Sequence, residues 1–138
     1  MTYSPGLLRA ELIRDEGKRL KPYRCTEGFL TIGVGRNLEA NGISEATARQ
    51  MLEEDIADRE AGLDRNAPWW RSLSDARQRA LVNMAFQLGV TGLMEFKNTL
   101  AALQIGSYER AYREALDSEW AKQTPERAER VARMLREG

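Results

Sequence analysis

Histidine is absent from all 138 residues, and cysteine occurs once, at Cys25. The first absence removes imidazole acid–base catalysis, Ser-His-Asp and Cys-His devices, and ordinary zinc sites. The second forbids an internal disulfide and leaves no thiolate cluster for a metal. No apolar run approaches the roughly 18 residues that cross a bilayer. Arg9, Glu11, Arg14 and Asp15 interrupt the N-terminal stretch, which therefore lacks the apolar core of a secretory signal. Net charge is missing too, with 21 basic against 21 acidic groups. Residues 1–63 hold nine basic and eleven acidic groups and residues 64–138 twelve and ten, an asymmetry too slight for a nucleic-acid surface. What remains, 42% apolar and 30% charged, is ordinary for a folded domain long enough to bury a core. Any proton transfer falls to Asp, Glu, Lys, Tyr or the single Cys.

Helix signals dominate. Ser4-Pro5 supplies an N-cap and a first-turn proline, Leu8, Leu12 and Ile13 form an apolar stripe, and Gly17 is placed to stop the helix. Residues 18–43 read differently, with Tyr23, Phe29, Thr31, Ile32 and Val34 set among Gly28, Gly33 and Gly35, which predicts a small, tightly turned sheet. Asn41-Gly42 marks a turn. Ser44 caps a helix over about 45–62 whose narrow stripe (Ala48, Met51, Leu52, Ile56) suits a connector or a plain surface helix. Ser72 with Asp75 reads as a capping box opening an apolar helix through Leu88, closed by Gly89. Thr91-Gly92 opens another, ended near Gly106; Ser107 opens the next, through Leu116; Thr124-Pro125 opens the last. The expected architecture is α+β and mostly α. It has a small sheet lobe (18–43), a connecting helix (45–62) and a helical lobe (64–138) on which helix 5–16 packs, with a cleft between lobes as the natural ligand site.

Glu16 stands out by position. It lies in the last turn of its helix, where the dipole's negative pole disfavours a carboxylate charge, as suits a proton donor. Most acidic residues at helix ends are merely solvated, so position alone does not decide its role. The stretch Glu16–Gly35, EGKRLKPYRCTEGFLTIGVG, adds to it. It resembles the phage-type lysozymes, the family of the T-even phage lysozyme (glycoside hydrolase family 24), in which E-G-x-R-L-x-x-Y leads into T-E-G-[FY]-x-T-I-G-[IV]-G. The family spacing of Glu, eight residues, Asp or Cys, five residues, Thr falls on Glu16, Cys25 and Thr31. Residues 80–100 and Trp120–Val131 are similar to the family's central helix and late C-terminal helix. The segment between Arg36 and Ser44 is shorter than in the T-even type.

The resemblance implies an endolysin that hydrolyses the β-1,4 bond between N-acetylmuramic acid and N-acetylglucosamine in peptidoglycan, without cofactor or metal. Glu16 would protonate the leaving oxygen, while Cys25 and Thr31 would hold the attacking water or steady the developing positive charge. Phe86, Gln87 and Thr99 match positions lining the sugar cleft, and Arg127 a position near the catalytic Glu. A monomer is implied, held in the host cytoplasm until a holin-type partner opens the membrane. Glycosidases usually employ two carboxylates, and only one stands at the matching positions. Cys25 is thus nucleophile, base or water-positioning group, and Glu27 is the nearest substitute carboxylate. The same shortage leaves two alternatives, a lytic transglycosylase or a non-catalytic glycan-binding module. Trp69, Trp70 and Trp120 suit helix packing better than sugar stacking.

Overall fold

A computed structural model of the chain describes residues 3–138. Its backbone falls into two units, one ending at Arg49 and one beginning at Gln50.

In the first unit, helix α1 (Pro5–Glu16) begins as the sequence predicts: the Ser4 hydroxyl accepts the Leu7 N–H at 3.3 Å, and Pro5 occupies the first turn. Gly17 ends it, donating back to the Ile13 carbonyl at 2.8 Å. An antiparallel three-stranded sheet follows, β1 (Arg19–Arg24), β2 (Leu30–Gly33) and β3 (Arg36–Asn37), in the order β1-β2-β3. Pro22, which cannot donate to a ladder, falls on edge strand β1 within the stretch where the register slips between Arg19 and Tyr23. Thr31 faces Tyr23 on one side and Asn37 on the other, and is buried. A short helix α2 (Leu38–Asn41), which the sequence reading missed, is capped by the Asn37 side chain accepting from the Ala40 N–H at 3.0 Å.

Helix α3 (Glu45–Asn66) starts at Ser44, whose hydroxyl accepts the Thr47 N–H at 3.1 Å, and runs from the first unit into the second. It extends four residues past the predicted end because Leu63 is fully buried and Asn66 bonds back to the Gly62 carbonyl. A 3-10 turn (Pro68–Ser72) then seats Trp70 in the core, its indole N–H donating to Asp64 at 2.8 Å. The predicted Ser72 cap is displaced: Ser72 bonds the Trp69 carbonyl, and Ser74 caps helix α4 (Asp75–Met94) by accepting from Arg77. Helical geometry breaks at Gly89, as predicted, and resumes. The single helix expected after Thr91 is instead the end of α4 followed by α5 (Lys97–Gln104). Helices α6 (Tyr108–Leu116), α7 (Glu119–Gln123) and α8 (Pro125–Glu137) complete the chain.

The second unit's core is layered by size. Ala80, Ala85, Ala111, Ala115, Ala128 and Ala132 are almost fully buried where α4, α6 and α8 approach, and Leu81, Met84, Leu93, Leu103 and Leu135 fill the spaces between. Each such large side chain contributes about 1.5–3 kcal/mol on burial. Arg77 closes the carboxyl end of α8 by donating to the Leu135 and Arg136 carbonyls at 2.8 and 2.9 Å. The chain is thus α+β and mostly helical, as expected, and none of its described helices is long and apolar enough to cross a membrane.

Candidate active site

Glu16 is the last residue of α1 and is exposed. Its carboxyl lies against the turn between β2 and β3. A Cβ built on Gly35 would sit 2.6 Å from Glu16 Oε2 and 3.0 Å from its Cδ. Gly35 also has φ +65°, a conformation that costs an L side chain about 1–2 kcal/mol. The missing side chain of Gly35 is the space that the carboxyl occupies. An alanine there is cheap in packing terms, because the atom displaced is the end of a flexible side chain. That atom is also the candidate proton donor. Gly35→Ala is therefore expected to lower peptidoglycan clearing far more than a stability loss of about 1–2 kcal/mol accounts for. Melting temperature measured beside clearing rate checks this, and a folded variant clearing at the parental rate would contradict it.

Cys25 begins the loop joining β1 to β2. The loop is a three-residue hairpin connection: the Gly28 N–H donates to the Cys25 carbonyl at 2.8 Å, and the Cys25 N–H to the Phe29 carbonyl at 3.0 Å. Gly28 takes the left-handed position this connection requires, with φ +87°. The result aims backbone amides at the half-buried sulfur. The Phe29 N–H, then the Glu27 N–H, hold the thiol below its ordinary pKa; desolvation and the Glu27 carboxylate oppose them. Thr31 is brought beside Cys25, as the family spacing implies. Its hydroxyl donates to the Phe29 carbonyl at 2.8 Å and adds a smaller push that lowers the thiol's pKa. Chemically, the loop can stabilise a thiolate at Cys25.

Of the other residues, all in the second unit, Phe86 and Arg127 line one concavity and Thr99 another, while Gln87 is exposed and lies outside both walls. The first, of about 450 Å³, is lined by Leu52, Ile56, Trp70, Val82, Phe86 and Arg127 among others. Phe86 is partly exposed, with the Arg59 guanidinium 5.8 Å from its ring centre. Arg127 is oriented by Asn83, donating to its side-chain oxygen at 3.1 Å and its carbonyl at 3.3 Å. The second, of about 430 Å³, is more polar, with Glu95, Asn98, Thr99, Glu114, Asp117 and Trp120 in its wall. Thr99 is buried there. Trp120, read from sequence as core, is buried, and its indole N–H donates to the Gln87 side-chain oxygen at 2.8 Å. That bond fixes which way the Gln87 amide faces. It occupies one acceptor position and leaves the amide hydrogens to donate to a ligand. The partnerships of Arg127 with Asn83 and of Gln87 with Trp120 span 44 and 33 residues, beyond the reach of any local pattern. Among the described residues no group of three or more His, Cys, Asp or Glu is disposed to hold a metal ion.

The chain is 35% identical to the pre-baseplate central spike protein Gp5 of Enterobacteria phage T4 over 98% of its own length and 28% of that protein's. It is 28% identical to a probable T4-type lysozyme of Dictyostelium discoideum, over 90% of each chain. It is 32% identical to an endolysin of Acyrthosiphon pisum secondary endosymbiont phage 1, over 79% of this chain and 73% of that one. The chain thus spans little more than a quarter of the spike protein and most of the other two. The family model described as phage lysozyme matches residues 14–136, a span that takes in Glu16, Cys25, Thr31 and both concavities, and the chain belongs to the phage lysozyme family.

Proposed function

We propose that the protein is a peptidoglycan-hydrolysing glycosidase that cleaves the β-1,4 bond between N-acetylmuramic acid and N-acetylglucosamine, and that it serves as an endolysin in host lysis. The observation that carries this reading is a family match that starts before Glu16 and runs through Arg127. In this reading Glu16 gives its proton to the leaving glycosidic oxygen. Cys25, with Thr31, then holds or deprotonates the water that completes hydrolysis, or bonds transiently to the anomeric carbon. Phe86, Gln87 and Thr99 receive the sugar chain: an exposed ring for a pyranose face, amide hydrogens for N-acetyl or hydroxyl oxygens, and a buried hydroxyl in an acid-lined hollow. Arg127, held by Asn83, supports the site electrostatically. The chain acts as a monomer, is held in the host cytoplasm before lysis, and reaches the wall after a holin-type permeabilisation.

Two observations favour neighbouring readings. The missing second carboxylate suits a lytic transglycosylase, which requires one acid and no water, or a binding module without catalysis. The similarity to a spike protein favours the same chemistry carried within a longer phage protein. Purified peptidoglycan sacculi test the class: the protein is expected to sediment with them and then clear the suspension. Sedimentation without clearing would reduce it to a glycan-binding module.

A further inference from the structure

Strand β3 is only two residues long and pairs with β2 at Thr31 and Ile32, so its backbone stops short of Leu30. The Leu30 N–H is taken instead by a side chain, Glu39 Oε1 on α2, at 2.9 Å. The same oxygen accepts from Arg24 Nη1 at 2.9 Å, and that nitrogen also donates to the Gly28 carbonyl at 3.0 Å. A carboxylate and a guanidinium therefore grip both sides of the loop carrying Cys25: Gly28 inside it and Leu30 just past its end. The pair is open to water, with 66% of the Arg24 and 45% of the Glu39 side chain accessible, and such pairs contribute little to folding stability. Their bonds nevertheless converge on one short loop. Its Phe29 and Glu27 amides are the ones that face the sulfur.

We propose that Glu39 and Arg24 are positioning residues for Cys25, a clamp that holds the 25–29 loop so that its amides stay aimed at the sulfur. The inference rests on the reading of Cys25 as part of the active site, yet it can fail or stand separately. The charged groups facing the loop are Glu27 within it, Arg24 at the end of β1 and Glu39 on α2. Glu39 is held below the usual carboxylate range, first by the Leu30 N–H and then by Arg24, so it is charged throughout neutral pH.

Because Cys25 is the chain's one thiol, its alkylation by iodoacetamide reports on the site alone. The pH midpoint of that reaction follows thiolate formation rather than access. Simple charge arithmetic says that deleting the Glu39 carboxylate lowers the midpoint, since a nearby negative charge disfavours a thiolate. The clamp predicts the reverse. Glu39→Ala lets the loop amides drift, moves the midpoint up toward the ordinary thiol value of about 8.5, and slows alkylation at pH 7 by roughly three- to tenfold. Glu39→Gln keeps an acceptor oxygen for Leu30 and Arg24 but loses the charge that strengthens both bonds, and is expected to move the midpoint up by less than the alanine variant does. It also serves as the test if the alanine variant fails to fold, an intermediate upward shift then being the expected result. Peptidoglycan clearing by Glu39→Ala should fall with kcat rather than KM. A midpoint that stays or falls in both variants overturns the clamp. A fully active Cys25→Ala protein would overturn the role of Cys25 and leave the midpoint test intact.

Discussion

Glu16→Gln is expected to reduce peptidoglycan clearing by about two to four orders of magnitude, the range that general acid catalysis contributes, while the protein keeps its fold. Glutamine preserves side-chain length and can still lie against Gly35, but its amide has no acidic proton to give. The departing sugar must then leave as an alkoxide. The side chain is exposed at the end of α1, where Gly17 closes the helix through its own backbone bond to Ile13, so the substitution removes no cap and opens no cavity. Glu16→Asp is a useful companion: it retains the acid and withdraws it from Gly35 by one methylene, and an intermediate rate is expected. Circular dichroism and melting temperature establish that both variants are folded. A folded Glu16→Gln protein that clears sacculi at the parental rate would remove Glu16 from the mechanism.

Cys25 carries the second large effect. Cys25→Ala deletes the group that the Phe29 and Glu27 amides face, and is expected to lower clearing by about two orders of magnitude if the sulfur acts as base toward water. Stability should change little, because the residue is half-buried and its hairpin bonds are made by backbone. Cys25→Asp should keep substantial activity. Aspartate is favoured at the first position of such a turn, where its carboxylate accepts amides two residues on. The pH profile separates the possible roles of the sulfur. A thiolate held below its ordinary value by those amides gives a rate that rises with pH through that lowered value. In Cys25→Asp the same limb should move down to the carboxylate range, about 4. The linkage has the matching sign. An acid depressed by folding stabilises the fold above its unfolded value, about 8.5 for a thiol, and that contribution is lost as pH falls through the folded one. A fully active Cys25→Ala beside an unstable Cys25→Asp would show that the residue is only a small apolar filler.

What could be read directly from the sequence is what short-range chemistry fixes. Ser4-Pro5 and Gly17 bound α1 because caps and positive-φ glycines act within a turn. The sheet at 19–37 follows from aromatic and β-branched residues crowded among glycines. Ser72 and Ser74 are both competent caps, and the 3-10 turn at Pro68–Ser72, drawn in by the burial of Trp70, decides between them. Helix α2 depends on one Asn37 side chain, too small a signal for any periodicity to carry. At the site, spacing and family pattern brought Cys25 beside Thr31, but nothing local announces that Gly35 makes room for the Glu16 carboxyl. Nor does it announce that Glu39 stands in for a missing strand fifteen residues from Arg24. Those contacts join elements whose approach is set only after folding.

Water added across a glycosidic bond of the wall leaves its record in the products. Purified peptidoglycan should be digested in heavy-oxygen water and its soluble fragments weighed by mass spectrometry. Hydrolysis aided by Glu16 predicts fragments ending in reducing N-acetylmuramic acid with one heavy oxygen at the new end, absent when Glu16→Gln replaces the parent. Fragments ending in 1,6-anhydro-N-acetylmuramic acid, free of the label, would contradict the account and make the protein a transglycosylase.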